Sequence, residues 1–250
     1  YLITEVYPNV TLPTKEEILV EAKRLVQNKT QFKGKSLKFL GKGRRDRINT
    51  NKYRLVEDHI DIFNHITLNG TRFMVPSIAQ KNGGGRVFDS LNLLPTWIRA
   101  LLKINGKRIV EADYTCLHPN IANSLYGDND EHISHEEVAS TLGLTKIQVK
   151  KQHLSFFNQP INQINHSILL KYYKENHSSL LENVITEKKA NGYKSVTKKM
   201  FTSEVDLMTD VIEQLSENGI VVVYVFDALY STEEDFPIVE YVMNQKAREH

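Results

Sequence analysis

One cysteine, Cys116, stands in 250 residues. No internal disulfide framework is therefore available, and such usage fits a reducing cytoplasm. Long apolar runs are also missing: none approaches the ~20 residues of a membrane span. No charged start leads into an apolar run of the secretory type. The expectation is a soluble, cytoplasmic protein with no membrane partner. An excess of one charge is absent too, since 32 Lys and Arg against 30 Asp and Glu leave +2, which selects no class of partner. Internal repeats and low-complexity linkers are not found. What remains is ordinary globular composition, 40% hydrophobic and 25% charged, long enough for one large domain or two modest ones.

Local charge is more informative than the total. Nine Lys or Arg lie between Lys33 and Arg54, against the single acid Asp46, with Gly34, Gly41 and Gly43 between them and Phe32, Phe39 and Tyr53 interleaved. A glycine-flexed basic loop with aromatic rings suits a phosphate backbone and unstacked bases, with Lys42, Arg44, Arg45 and Arg47 as contacts. A solvated basic face is the alternative.

Thr14 and Glu17 form a capping box for a helix over Lys15–Gln27, and a second helix is expected over Leu55–Ile66. Lys81–Arg86 reads as a flexible loop, and Pro95–Ile104 as a short helix stopped by Asn105-Gly106. The stretch Glu131–Ser195 reads as wholly helical, with caps at Ser134 and Thr145. A long helix over Val196–Ser216 ends at Asn218-Gly219. Trp97 is expected in the core. His132 and His135 precede Glu136 without the spacing of a zinc protease.

Two β-branched runs are the most telling segments. Lys107–Asp113 and Ile220–Asp227 each end on an aspartate, with strands expected over Arg108–Tyr114 and Ile220–Phe226. A carboxylate at the end of a buried strand is costly unless compensated. If the strands are neighbours, Asp113 and Asp227 converge and repel, and a pair of Mg²⁺ ions would turn that repulsion into a site for phosphoryl transfer. The alternative is two unrelated strand-end aspartates capping turns.

Glu111-Ala-Asp113-Tyr114-Thr115 resembles motif A of the family A DNA polymerases, relatives of the single-subunit phage-type RNA polymerases. Val225-Phe226-Asp227-Ala228 resembles their motif C, and Lys146-Ile-Gln-Val-Lys150-Lys-Gln-His-Leu154-Ser-Phe-Phe-Asn158 their motif B. Gly84-Gly85-Arg86 is similar to the segment before motif A, and Ser203-Glu204 occupies the place of polar primer contacts. The resemblance spans roughly residues 83 to 235. It implies an α+β fold: a palm with an antiparallel sheet and helices on one face (81–130 and 196–250), helical fingers (131–195), and a reduced helical thumb-like part (1–80) carrying the basic loop.

The implied reaction is two-metal nucleotidyl transfer from NTP or dNTP to a primer 3′-hydroxyl on a primed DNA or RNA template, with template-directed DNA synthesis foremost. Asp113 and Asp227 would hold two Mg²⁺, or Mn²⁺ in their place, with the Tyr114 carbonyl as a further ligand. Lys146, Lys150, Leu154 and Asn158, on one helix face by their spacing, would meet the nucleotide along with His118. Arg86 and Glu204 would face the nucleic acid. His118 stands where DNA-synthesising members carry Glu, Leu154 replaces an aromatic, Asn158-Gln159 replaces Tyr-Gly, and Phe226 replaces His. The departures keep two alternatives open: a palm that binds primed nucleic acid without polymerising, and a template-independent or primer-making nucleotidyltransferase.

Overall fold

The computed structural model describes residues 1–32, 34–41, 51–79, 83–129 and 131–250. A helical turn over residues 2–9 leads into β1 (Val10–Thr11), α1 (Lys15–Gln27), β2 (Gln31–Phe32), β3 (Lys35–Lys38), β4 (Tyr53–Leu55) and α2 (Val56–Thr67). There follow β5 (Ser77–Ile78), β6 (Val87–Phe88), α3 (Ser90–Leu93), α4 (Thr96–Arg99), β7 (Lys103–Ile104), β8 (Lys107–Asp113) and α5 (Leu117–Tyr126). Five helices come next: α6 (His135–Leu142), α7 (Lys146–Phe156), α8 (Ile161–Ile164), α9 (Leu170–Asn176) and α10 (Ser178–Asn191). The long α11 (Ser195–Glu217), the hairpin β9 (Val223–Val225) and β10 (Ala228–Thr232), and α12 (Phe236–Glu249) complete the chain. The fold is α+β. No helix among the described residues is long and apolar enough to cross a membrane.

The main sheet has the order β1-β7-β8-β10-β9 and is antiparallel throughout. Strand β10 lies between β8 and β9, and all five of its residues are buried. Its side chains alternate. Leu229 joins Ala112 and Tyr224 in a core with α5, α11 and α12, whereas Ala228 and Tyr230 join Val223, Val225 and Ile104 in a core with α1, α3 and α4. Period-two alternation with apolar residues on both sides requires cover on both sides. The sheet is therefore covered on two faces, not one as the sequence reading expected, and residues 1–67 supply part of the second cover.

That N-terminal part is not purely helical. Strands β2, β3 and β4 make a small sheet in which β3 and β4 run parallel. The expected box at α1 is present: the Thr14 hydroxyl accepts from the Glu17 amide at 3.1 Å, and the Glu17 carboxylate accepts from the Thr14 amide at 2.8 Å. Such a cap contributes about 1 kcal/mol. Asn105-Gly106 does not end a ten-residue helix. Helix α4 stops at Arg99, and Asn105 and Gly106, with φ of 51° and 76°, turn β7 back into β8. Two successive left-handed residues suit a two-residue hairpin, so the dipeptide marks a strand turn.

The helices of 131–195 share one continuous core with α5, α11 and α12, built around Tyr172, Tyr173, Phe156 and Phe157. Lys188 ties this layer together: its buried amine donates to the carbonyls of Phe157, Gln159 and Tyr193 at 2.7, 2.9 and 2.9 Å. Burial pushes that amine down to about 8.

Candidate active site

Asp113 closes β8 and Asp227 sits in the turn between β9 and β10. The register pairs Asp113 with Ala228, and the Tyr114 amide donates to the Asp227 carbonyl at 3.2 Å. Sheet pairing thus brings together two carboxylates that lie 114 positions apart by their residue numbers. The Tyr114 hydroxyl donates to the Met243 carbonyl at 2.6 Å, which anchors the exit of β8 to α12. Phe226, just before Asp227, has φ of 57°. A left-handed aromatic residue at a hairpin tip is strained. Packing holds it there, with edge contacts to Phe88 at 5.7 Å and Tyr224 at 6.5 Å.

Charge at this end of the sheet is frustrated. Desolvation, then the neighbouring Asp227 charge, pushes the Asp113 carboxyl up to about 6, while Lys150 pulls it down. Asp227 is raised as well, by burial first and by Glu204 second, with His118 and Arg86 opposing. Neither carboxylate is taken up by an ion pair or another side chain among the described residues. Oxygen donors of like charge, held near each other and without a side-chain partner among the described residues, are of the kind that suits a hard divalent cation. Asp113 also borders an open cleft of about 710 Å³ lined in part by Glu111, Thr115, His132 and Glu240.

Beside the aspartates lies an ionic cluster around the buried Glu204 that sequence spacing does not reveal. Arg86 grips Glu204 with both arms: Nε donates to Oε1 at 2.7 Å and the terminal amine to Oε2. His118 Nε2 meets the same Oε2 at 2.7 Å. Glu204 is 0% exposed. Burial alone would raise its carboxyl, but the hydrogen bonds from His118 and Arg86, with the charge of both, more than offset this and leave it low. The Arg86 guanidinium also lies over the Phe201 ring at 3.6 Å. Sequence reading singled out all three residues, but as separate contacts to nucleotide and nucleic acid. Their mutual pairing spans 32 to 118 positions, which no local pattern encodes.

The glycine loop before Arg86 is docked rather than loose at Gly84. With φ of 61°, its α-carbon packs on α11 so closely that an added methyl would come within 2.4 Å of the Phe201 Cβ and 2.6 Å of the Thr202 nitrogen. Gly84→Ala is expected to displace Arg86 from Glu204 and destabilise the fold by about 1–3 kcal/mol. Urea unfolding measures this.

On α7, Lys146, Lys150 and Leu154 share an exposed face. Lys146 pairs with Glu136. Lys150 makes no hydrogen bond or ion pair among the described residues, and its charge is felt at Asp113. Leu154 is exposed. Asn158 lies beyond the end of α7, which stops at Phe156 ahead of Pro160, whose ring disfavours helix in the residue before it. Its amide instead donates to the Leu154 carbonyl at 3.0 Å and its oxygen accepts from Thr197 at 2.5 Å. Lys42, Arg44, Arg45 and Arg47 lie outside the described residues.

No protein-family model and no curated protein matches this chain. A functional reading therefore stands on the geometry of these side chains and on the sequence motifs that led to them.

Proposed function

We propose that the chain is a nucleotidyltransferase of the family A polymerase type, extending a primer 3′-hydroxyl on a nucleic-acid template, with DNA synthesis foremost. The observation that carries this reading is that Asp113, at the end of β8, and Asp227, in the turn that leads into the neighbouring β10, lie at one end of the sheet, both raised by desolvation and by neighbouring negative charge. Two Mg²⁺ ions, or Mn²⁺, bound there would activate the attacking hydroxyl and neutralise the leaving pyrophosphate. Asp113, Asp227 and the Tyr114 carbonyl are the groups of this chain that would hold them.

The remaining residues act by position and charge. Lys150, unpaired and electrostatically coupled to Asp113, receives the triphosphate as a point charge. Lys146 must leave Glu136 to take part, and a surface ion pair of that kind costs at most about 1 kcal/mol to open. Leu154 offers an exposed apolar surface to the base. Asn158 and Thr197 fix the end of α7. Arg86 and Glu204 hold His118, whose ring lies at the position facing the sugar in the resembling family, so the three set nucleotide selection from one side of Asp227. The basic stretch with Lys42, Arg44, Arg45 and Arg47 supplies backbone phosphate contacts.

Primer extension tests the reading. A labelled primer–template is incubated with the protein, Mg²⁺, and dNTPs or NTPs. Template-dependent growth is expected, with Lys150→Ala lowering kcat/KM roughly tenfold, the equivalent of about 1.4 kcal/mol. Growth on an unpaired oligonucleotide would instead identify a template-independent enzyme. Tight duplex binding with no growth from any nucleotide would contradict the proposal and identify a binding module.

A further inference from the structure

The geometry points to a second metal centre of a different kind: a zinc site made by Cys116, His135 and His153, which joins the exit of β8 to α6 and α7. The three residues are buried, and their donor atoms lie within 4.8 Å of one another. Cys116 Sγ is 3.3 Å from His135 Nδ1, and His135 Nδ1 is 3.0 Å from His153 Nδ1. A tetrahedral zinc with ordinary Zn–N and Zn–S bonds has ligand–ligand edges of about 3.3–3.6 Å. The two contacts are thus a few tenths of an ångström short of a loaded site, and small outward shifts would admit the ion.

Hydrogen bonding alone satisfies this cluster poorly. An imidazole Nδ1 carries either one lone pair or one hydrogen. His135 Nδ1 has two polar neighbours, so it cannot serve both along good directions. A cation between the three donors removes the conflict, since each then offers a lone pair to it. Burial, followed by His135, pushes His153 down to about 3, and burial lowers His135 as well, which favours the neutral rings. Burial pushes the Cys116 thiol up to about 12, so an ion has to displace its proton.

Two further observations support the assignment. The outer nitrogen of His153 is met by the Tyr173 hydroxyl at 2.9 Å. With Nε2–H donating to the Tyr173 hydroxyl, Nδ1 would be left free to bind the ion, the usual arrangement behind a ligating histidine. Cys116 also adopts a left-handed conformation, φ 62°, at the start of α5. Strain at a non-glycine residue persists where its surroundings impose it. Zinc binding would displace the thiol proton to solvent and form a Zn–S bond, with both imidazoles bound through Nδ1 and water in the fourth position. Because His153 is three residues from Lys150 on α7, and Cys116 three from Asp113, the ion would fix Lys150 relative to the carboxylates. The site itself does not depend on the proposed activity.

Metal analysis and cobalt substitution test it on the intact chain. About one zinc per chain is expected, released by chelator with a fall in melting temperature. Cobalt loading of the stripped protein should give the strong visible absorption of a tetrahedral centre and a thiolate charge-transfer band in the near ultraviolet. Cys116→Ser should lose that band. Tyr173→Phe, which keeps the ring and removes only the hydroxyl, should weaken zinc affinity roughly 10–100-fold. A wild-type protein with neither stoichiometric zinc nor the cobalt bands would overturn the assignment, and so would a charge-transfer band that persists in Cys116→Ser. Neither result depends on whether nucleotides are added to a primer.

Discussion

Asp227→Asn is expected to abolish nucleotide addition while making the protein harder to unfold. If the two carboxylates hold the ions as proposed, loss of one should cost three or more powers of ten in rate, about 4 kcal/mol of transition-state stabilisation. The gain in stability has a separate origin. Both aspartates are raised in the folded state, Asp113 to about 6 and Asp227 in the same direction, so the fold resists carrying two negative charges there. For a carboxyl raised on folding, the penalty is full above the folded pKa and fades as pH falls towards the unfolded value of about 4. Asp113 is exposed, so solvent screening reduces the penalty. Removing it should gain about 1 kcal/mol at pH 7.5, a rise of about 2–4 °C in melting temperature. The difference from wild type should shrink between pH 6 and pH 4. Thermal melts of both proteins across that range, beside primer extension, read both effects.

Glu204→Gln is expected to produce the largest loss of stability. The substitution keeps the shape but leaves the Arg86 guanidinium without its charge partner at a carboxylate that is 0% exposed. Breaking a buried pair from one side costs about 3–5 kcal/mol. Replacing both partners, as Arg86→Met with Glu204→Leu, should restore much of that loss, because buried pairs are often matched by apolar residues of similar volume. Activity should not return in the double variant, since His118 loses the carboxylate that holds it. A double variant as unstable as Glu204→Gln would mean that the cluster contributes to folding beyond its own pairing. The Glu204 carboxyl is lowered in the fold. Its contribution is therefore complete above the ordinary glutamate pKa of about 4.3 and is lost as pH falls below it. Urea unfolding at pH 7 and at pH 4 separates the variants.

Much of this architecture is written locally. The Thr14–Glu17 box opens α1 where its pattern requires, and Asn218-Gly219 ends α11 one turn before the hairpin. The strand-end aspartates are legible because β-branched runs predict strands and a terminal acid breaks the apolar pattern. Whether they meet is a matter of strand order, which periodicity does not carry. The short strands β1 to β6, two to four residues each, have no alternation long enough to detect. Asn105-Gly106 reads equally well as a helix stop or a hairpin turn until the neighbouring strand is known. The links among Arg86, His118 and Glu204, and among Cys116, His135 and His153, join distant positions and leave no short motif. They arise from how α5, α7 and α11 pack.

The most direct test of the central claim is a thermal shift with Mg²⁺ at pH 7.5 for wild type and Asp227→Asn. If Asp113 and Asp227 form a cation site, Mg²⁺ raises the wild-type melting temperature with concentration, by mass action on the folded state. The Asn variant starts higher and responds little. A wild type indifferent to Mg²⁺, or an Asn variant that responds equally, would contradict the claim.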